Sequence, residues 1–383
     1  MIKELQIQNF KCFQHSPLFS FSKLNLLTGI NGRGKSSLLQ TFLILSQSAR
    51  KNSALKQLFI NDEFVQLGNF DDIKNSETTR EKNIQFNLKF HSALLKEAKF
   101  EYKENETDAL LAELEEISIV DSKDIVSTQQ KATIEQNENV LILADILKKI
   151  HFVSADRLGP VKYVDKTNLP EFIHVGTTGE HSINILHNSD KLPLVNDNLY
   201  LGQDAKSVIQ QTEEWLNYIL EGAKIEIIGK DKQSSVLSLL INSRKNSYSY
   251  KPNNVGFGYS YILPLVLTGL IAKEGDIIIV ENPEAHLHPR AQSKITEFFA
   301  KVASCGVQVF IESHSEHILN GLRVCALNPE VKISHNDISI TYFNEGFMPK
   351  TLSVDEKGKI ENWPEGFFDQ QEIDLANIFR FSK

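Results

Sequence analysis

The chain has 383 residues, 41% of them hydrophobic and 23% charged, with a formal net charge of −8. That length allows one large domain carrying insertions or two to three smaller ones, and the composition is that of a folded globular protein. The longest apolar run, residues 262–272, is too short to span a membrane and contains Pro264. Three dispersed cysteines (Cys12, Cys305, Cys325) form neither a disulfide framework nor a zinc ribbon, which fits a reducing cytoplasm. The first ten residues, MIKELQIQNF, alternate like a strand and lack a signal-peptide core. Charge is unevenly placed: residues 101–138 hold eleven acidic residues against three lysines, a net −8 equal to that of the whole chain. The remainder is neutral, so the acidic balance neither supports nor excludes a nucleic-acid surface elsewhere.

In chain order, Ile2, Leu5, Ile7 and Phe10 predict a strand, and residues 18–27 one or two more. The stretch LNLLTGINGRGKSS, residues 24–37, reads as buried strand, glycine-bearing turn and helix start. Gly29, Gly34, Lys35 and Ser36 fall at the spacing Gly-x4-Gly-Lys-Ser. This spacing wraps backbone N–H groups around phosphate oxygens at a positive helix N-terminus. Asn31, Gly32, Arg33, Gly34, Lys35, Ser36 and Ser37 are therefore the candidate nucleotide-binding residues. Lys35 reaches the β/γ-phosphates and the Ser36 hydroxyl ligates Mg²⁺. The pattern predicts a nucleoside triphosphate with Mg²⁺ as ligand.

A helix over residues 37–49 follows, then a turn-rich stretch to residue 75, then paired antiparallel strands over residues 83–90 and 98–102. Within the acidic segment, residues 108–116 predict a short helix and residues 122–139 a polar loop or linker. Beyond it come a helix over residues 140–149, the strand HFVSADRLGP, a helix over residues 205–220, and strands over residues 224–228 and 235–241. A glycine-containing loop at residues 253–258 precedes the apolar helix YILPLVLTGLIA. Continuous apolar strands at residues 277–280 and 307–311, separated by a helix over residues 290–303, predict a parallel sheet buried on both faces.

The stretch IIIVENPEAHLHP is an apolar strand ending in a carboxylate at the sheet edge where ligands sit in open α/β folds. Glu281 would hold Mg²⁺ through water beside Ser36, and Glu284 would orient or deprotonate the attacking water. In IESHSEHIL, His314 follows the next strand and would sense the γ-phosphate; a plain surface histidine is the bland alternative.

The order GINGRGKSS, NVGFGYS, VENPEAHLHP and ESHSEH, with the opening LQIQNFKCF, resembles the ATP-binding-cassette-type AAA ATPases of the RecF, SMC and OLD kind. The tail, DISITYF through IENWPEGFFDQ, is similar to a small C-terminal module of a bacterial subgroup seen in anti-phage defence systems. The resemblance implies an α/β P-loop NTPase with an ABC-type head, that is, a mixed or parallel sheet flanked by helices plus an antiparallel β subdomain, and an inserted α/β or helical lobe. It divides the chain at residues 1–100 (head with phosphate loop), 101–250 (inserted lobe), 251–345 (rest of the head) and 346–383 (C-terminal module). It implies two heads sandwiching two nucleotides as a homodimer or higher oligomer. Gly256, Gly258 and Ser260 of residues 254–260 would then form a signature loop that meets the other head's γ-phosphate. His286 would cross the dimer interface, and His314 would be the switch histidine. Gln47 and Gln66 compete for the Mg²⁺-sensing glutamine. Arg157 faces nucleotide or partner, or serves a structural salt bridge.

Where the family reads Asp-Glu, this chain has Glu281-Asn282. Asn282 cannot act as a base, so Glu284 takes over or hydrolysis is slow. The resemblance implies an ATP-gated dimeric switch that binds ATP with Mg²⁺ and acts on a separate effector, such as a nuclease, in DNA repair or antiviral defence. Two alternatives stand beside it. His286, His288, His314 and His317 make His-x-His and His-x-x-His pairs suited to a metal-dependent hydrolase. Basic clusters at Arg50, Lys51 and Lys56, at Lys148 and Lys149, and at Lys230 and Lys232 are candidates for direct DNA contact. The aromatic tail at residues 363–368 suits an interface or docking on its own core.

Overall fold

The computed structural model describes residues 1–79, 81–130, 137–202, 206–243 and 248–382. A six-stranded sheet positions the site. Its strands are β4 (Leu24–Gly29), β10 (Ile150–Val153), β14 (Ile277–Glu281), β15 (Gln308–Glu312), β16 (Ile338–Phe343) and β17 (Lys350–Leu352), in the order β10-β14-β15-β4-β16-β17. All neighbours are parallel except β16 and β17. Strand residues alternate between two hydrophobic cores: Ile278, Val280, Val309 and Ile311 face one, and Ile277, Ile279 and Phe310 the other. Burial on both faces is why these strands read as unbroken apolar runs.

On one face lie α1 (Lys35–Lys51), α3 (Glu138–Lys148) and an antiparallel sheet. That sheet comprises β1 (Ile2–Phe10), β2 (Phe13–His15), β3 (Phe19–Ser20), β5 (Gln57–Phe59), β6 (Ile84–Phe90), β7 (Leu95–Glu104), β8 (Leu111–Asp121) and β9 (Val126–Gln130), with a short helix α2 (Phe70–Ile73). The other face carries α4 (Ser182–His187), α5 (Val208–Leu220), α6 (Phe257–Ile271), α7 (Pro289–Ser304) and α8 (Glu316–Leu327). A small antiparallel sheet of β11 (Val164–Asp165), β12 (Lys224–Ile228) and β13 (Val236–Asn242) packs on that side, and α9 (Gln370–Phe381) closes the described chain. The mixed α/β organisation, with a largely parallel sheet between helices and an antiparallel sheet beside it, is as expected.

The acidic segment differs from expectation. Residues 108–116 enter β8 rather than a helix, because Ala112, Leu114, Ile117 and Ile119 turn into the core while Glu115 and Glu116 stay outside. This two-residue alternation, stepped by one residue at the register shift between Leu114 and Glu116, outweighs the helical propensity of the glutamates. The expected polar loop of residues 122–139 contains β9; residues 131–136 within it, and Ala205 at the start of an expected helix, lie outside the described residues. The division at residues 100/101 falls inside β7, and residues 101–250 contribute strands to all three sheets. In the tail, Phe367 is 1% exposed and packs against Tyr342 at 5.1 Å between ring centroids, so this aromatic docks on the chain's own core. Among the described residues, no helix is long and apolar enough to cross a membrane.

Candidate nucleotide-binding site

The strand β4, the loop after it and α1 form the predicted phosphate loop. Gly29 has φ +122°, and a Cβ there would lie 2.2 Å from the Phe343 carbonyl oxygen, so only glycine fits. Gly34 precedes α1 with φ +107° and no side chain caps the helix, which leaves its first N–H groups open to an anion. Asn31, Gly32, Gly34, Lys35, Ser36 and Ser37 line a pocket of about 340 Å³, joined by Cys12 and Glu312. The Lys35 ammonium donates to the carbonyls of Gly29 at 3.0 Å and Ile30 at 2.9 Å. Burial lowers its pKa, and Glu312 opposes that shift. Arg33 does not line the pocket; its guanidinium lies 4.8 Å over the Phe347 ring.

The neighbouring strand ends bring carboxylates to the same edge. Glu281, the last residue of β14, is paired in register with Glu312, the last residue of β15, and Glu312 is paired in turn with Leu27. Glu281 Oε2 accepts from the Ala155 N–H at 3.1 Å, and burial, with Asp156 adding to it, raises its pKa. Glu312 is pushed up to about 7 by burial and then by Glu281, with Lys35 and Ser36 pulling the other way. Ser36 Oγ donates to Glu312 Oε1 at 3.5 Å, and Glu312 Oε2 is buried with no partner. Glu312 is the residue that sequence reasoning missed. The signal was present: VFIE in β15 is an apolar strand ending in a carboxylate, as IIIVE is in β14.

The turn after β14 is held by Arg157, which is 4% exposed. It donates to the carbonyls of Ser154 (3.0 Å), Glu281 (2.7 Å) and Asn282 (2.6 Å), so it braces backbone rather than forming a salt bridge. Asn282 and His286 both have positive φ, +44° and +60°, in the left-handed region that Asn and His enter more readily than most residues. Glu284 Oε1 accepts from the His314 N–H at 3.0 Å. Burial, then Lys35, lowers the pKa of His314. Lys35, Ser36, Glu281, Glu284 and His314 thus lie along one sheet edge, but of these only Lys35 and Ser36 line the pocket.

The loop at residues 254–260 lies elsewhere. Gly256 and Phe257 are exposed at the start of α6, and Gly258 packs on the backbone of His286. The His286 ring lies 4.4 Å from Tyr261 and 6.0 Å from Phe257. Ser260 is turned inward: its Oγ is buried without a partner and lines a small interior cleft with Ser182. None of residues 254–260 lines the phosphate-loop pocket.

Other candidates resolve by their bonds. Gln47 is 2% exposed and spends its amide on the backbone of Phe59, Phe64 and Val65, whereas Gln66 is exposed. The hydrolase ligand set is not assembled. His288 caps α7, accepting from the Arg290 N–H, while His286 packs on aromatic rings, and among the described residues no three His, Cys, Asp or Glu side chains converge to hold a metal. Of the basic clusters, Arg50 donates to the carbonyls of Lys148 and Ile150 under the rings of Phe64 and Phe172, and Lys148 donates to Ser53. These cations are occupied in holding the fold.

Residues 24–320 match the family described as "AAA domain, putative AbiEii toxin, Type IV TA system". The chain is an AAA-family ATPase. Residues 333–378 match a second family, described as "Protein of unknown function (DUF3696)". No curated protein sequence matches this AAA ATPase significantly. Among solved structures it is similar to an Smc head bound to the C-winged helix domain of ScpA, at 11% identity and a TM-score of 0.47, covering 92% of this chain and 97% of that one. The SMC head domain from Thermotoga maritima matches at 10% identity and a TM-score of 0.42, covering 92% and 99%. The Smc head with an extended coiled coil from Pyrococcus furiosus, bound to the C-terminal domain of ScpA, matches at 11% identity and a TM-score of 0.47, covering 99% of each chain.

Proposed function

We propose that this ATPase is a slow, ATP-gated dimeric switch. The observation that carries the reading is a separation. The phosphate loop forms its pocket with Glu312, while the glycine loop at residues 254–260 opens outward at a different helix N-terminus and contributes nothing to that pocket. Two copies facing each other would bring Gly256 and Gly258 of each to the nucleotide held by the other; Ser260 would join only with its side chain turned outward.

ATP entry would draw Lys35 from the carbonyls of Gly29 and Ile30 onto phosphate oxygens. The residues fit a divalent cation: the Ser36 hydroxyl stands beside the Glu312 carboxylate, whose second oxygen is buried and orphaned. Mg²⁺ bound there would neutralise phosphate charge. Glu284, fixed by the His314 N–H, would orient the attacking water, and His314 would report the γ-phosphate. Asn282 in place of a carboxylate supports slow turnover. In this reading residues 346–383 form a module beside the head, and closure acts on a separate effector such as a nuclease, in antiviral defence or DNA repair.

The test is ATP binding and phosphate release by the wild type and Glu284→Gln. The reading predicts ATP binding by both, slow release by the wild type, and at least roughly tenfold slower release by the variant. Absence of ATP binding, or turnover unaffected by the substitution, contradicts it.

A further inference from the structure

We propose that Glu312, rather than Glu281, is the carboxylate that holds the divalent cation beside Ser36. The inference rests on the nucleotide reading of this pocket and deepens it. In strands that end at a nucleotide edge, the carboxylate after the apolar run of β14 is the expected cation residue. Here that residue is turned aside. Glu281 Oε2 is engaged by the Ala155 N–H at 3.1 Å, its carbonyl is pinned by Arg157, and its side chain does not line the phosphate-loop pocket.

Glu312 has what Glu281 lacks. It lines the pocket with Lys35 and Ser36, and its Oε1 faces the Ser36 hydroxyl at 3.5 Å. Its Oε2 is enclosed and without a partner, an arrangement native interiors rarely tolerate. The placement follows from topology: β15 lies between β14 and β4, so the end of β15 is next to the strand that launches the phosphate loop, while the end of β14 is one strand further away. Strand pairing fixes the backbone as well, since the Asn282 N–H donates to the Glu312 carbonyl at 2.8 Å. A hard cation seeks carboxylate and hydroxyl oxygens, and Glu312 with Ser36 offers both at one point.

The experiment is calorimetric titration of ATP into the full chain, with Mg²⁺ and again with EDTA, for the wild type, Glu312→Gln, Glu312→Asp and Glu281→Gln. Thermal unfolding without nucleotide checks that each variant is folded. The expected result is that Mg²⁺ tightens ATP binding to the wild type and to Glu281→Gln. In Glu312→Gln that Mg²⁺ advantage falls by roughly tenfold or more, while binding in EDTA is retained. Glu312→Asp, which keeps the charge on a shorter stem, falls between and carries the test if the Gln variant does not fold. Loss of the Mg²⁺ advantage in Glu281→Gln, or its full retention in Glu312→Gln, overturns the assignment. A wild type that binds no ATP under either condition instead overturns the nucleotide reading on which the assignment stands.

Discussion

Arg157 donates through Nη2 to the carbonyl oxygen of Asn282 at 2.6 Å, at the point where the chain leaves β14 with φ +44°. The same guanidinium holds Glu281 and Ser154, so one buried cation ties β10's exit to the turn that carries Glu284. Replacing Arg157 by Leu removes this donor from three carbonyls; that of Asn282 keeps the Ala285 N–H at 3.1 Å, while those of Ser154 and Glu281 lose the guanidinium, at about 1 kcal/mol or more each. The expected loss is about 2 kcal/mol of unfolding free energy by denaturant titration, with Arg157→Lys recovering little because an ammonium cannot fork across the same acceptors. A loss within 0.5 kcal/mol, the ordinary range for a surface site, would contradict the bracing role.

Lys35 is folded back onto its own loop, donating to Gly29 and Ile30. Its ammonium is therefore poised over the pocket and available to a phosphate. Lys35→Ala should weaken ATP binding by about 10- to 100-fold, the equivalent of one charge-assisted hydrogen bond, measured by calorimetry. Unchanged affinity would remove the lysine from the site.

A pH effect is expected from a histidine remote from the nucleotide. Burial, then the Arg50 guanidinium and the neighbouring His181 and His151, push His174 down to about 4 from its ordinary 6.5. Its Nδ1 accepts from the Gly176 N–H, a bond that requires the neutral ring. A depressed folded pKa means that the neutral histidine stabilises the fold fully above pH 6.5, and that this contribution is lost as pH falls from 6.5 toward 4. Its full size is up to roughly 3 kcal/mol. Denaturant midpoints at pH 7.5, 6 and 5 should fall more steeply for the wild type than for His174→Phe. Parallel declines would place the acid sensitivity elsewhere.

Much of the site is legible in the sequence because its parts are local. A phosphate loop is strand, turn and helix within fourteen residues, and the β14 and β15 strands announce themselves as apolar runs. Glu312 escapes because its meaning comes from pairing: only the order β14-β15-β4 sets it opposite Glu281 and beside Ser36. Gln47 and Gln66 are equivalent as letters and separate only once Gln47 is seen bonded to Phe59 and Val65. In β8, glutamates masked the alternation of Ala112, Leu114, Ile117 and Ile119, and the pairing with β7 that decides it is non-local. Ser260 lines a cleft together with Ser182 of α4, a placement that no loop motif encodes.

The central claim is that ATP joins two heads. The most direct test is the solution mass of the wild type and Glu284→Gln by light scattering, with and without MgATP. The account predicts a mass that doubles on adding MgATP, more durably in Glu284→Gln, where the nucleotide persists. A mass unchanged by MgATP in both proteins would contradict it.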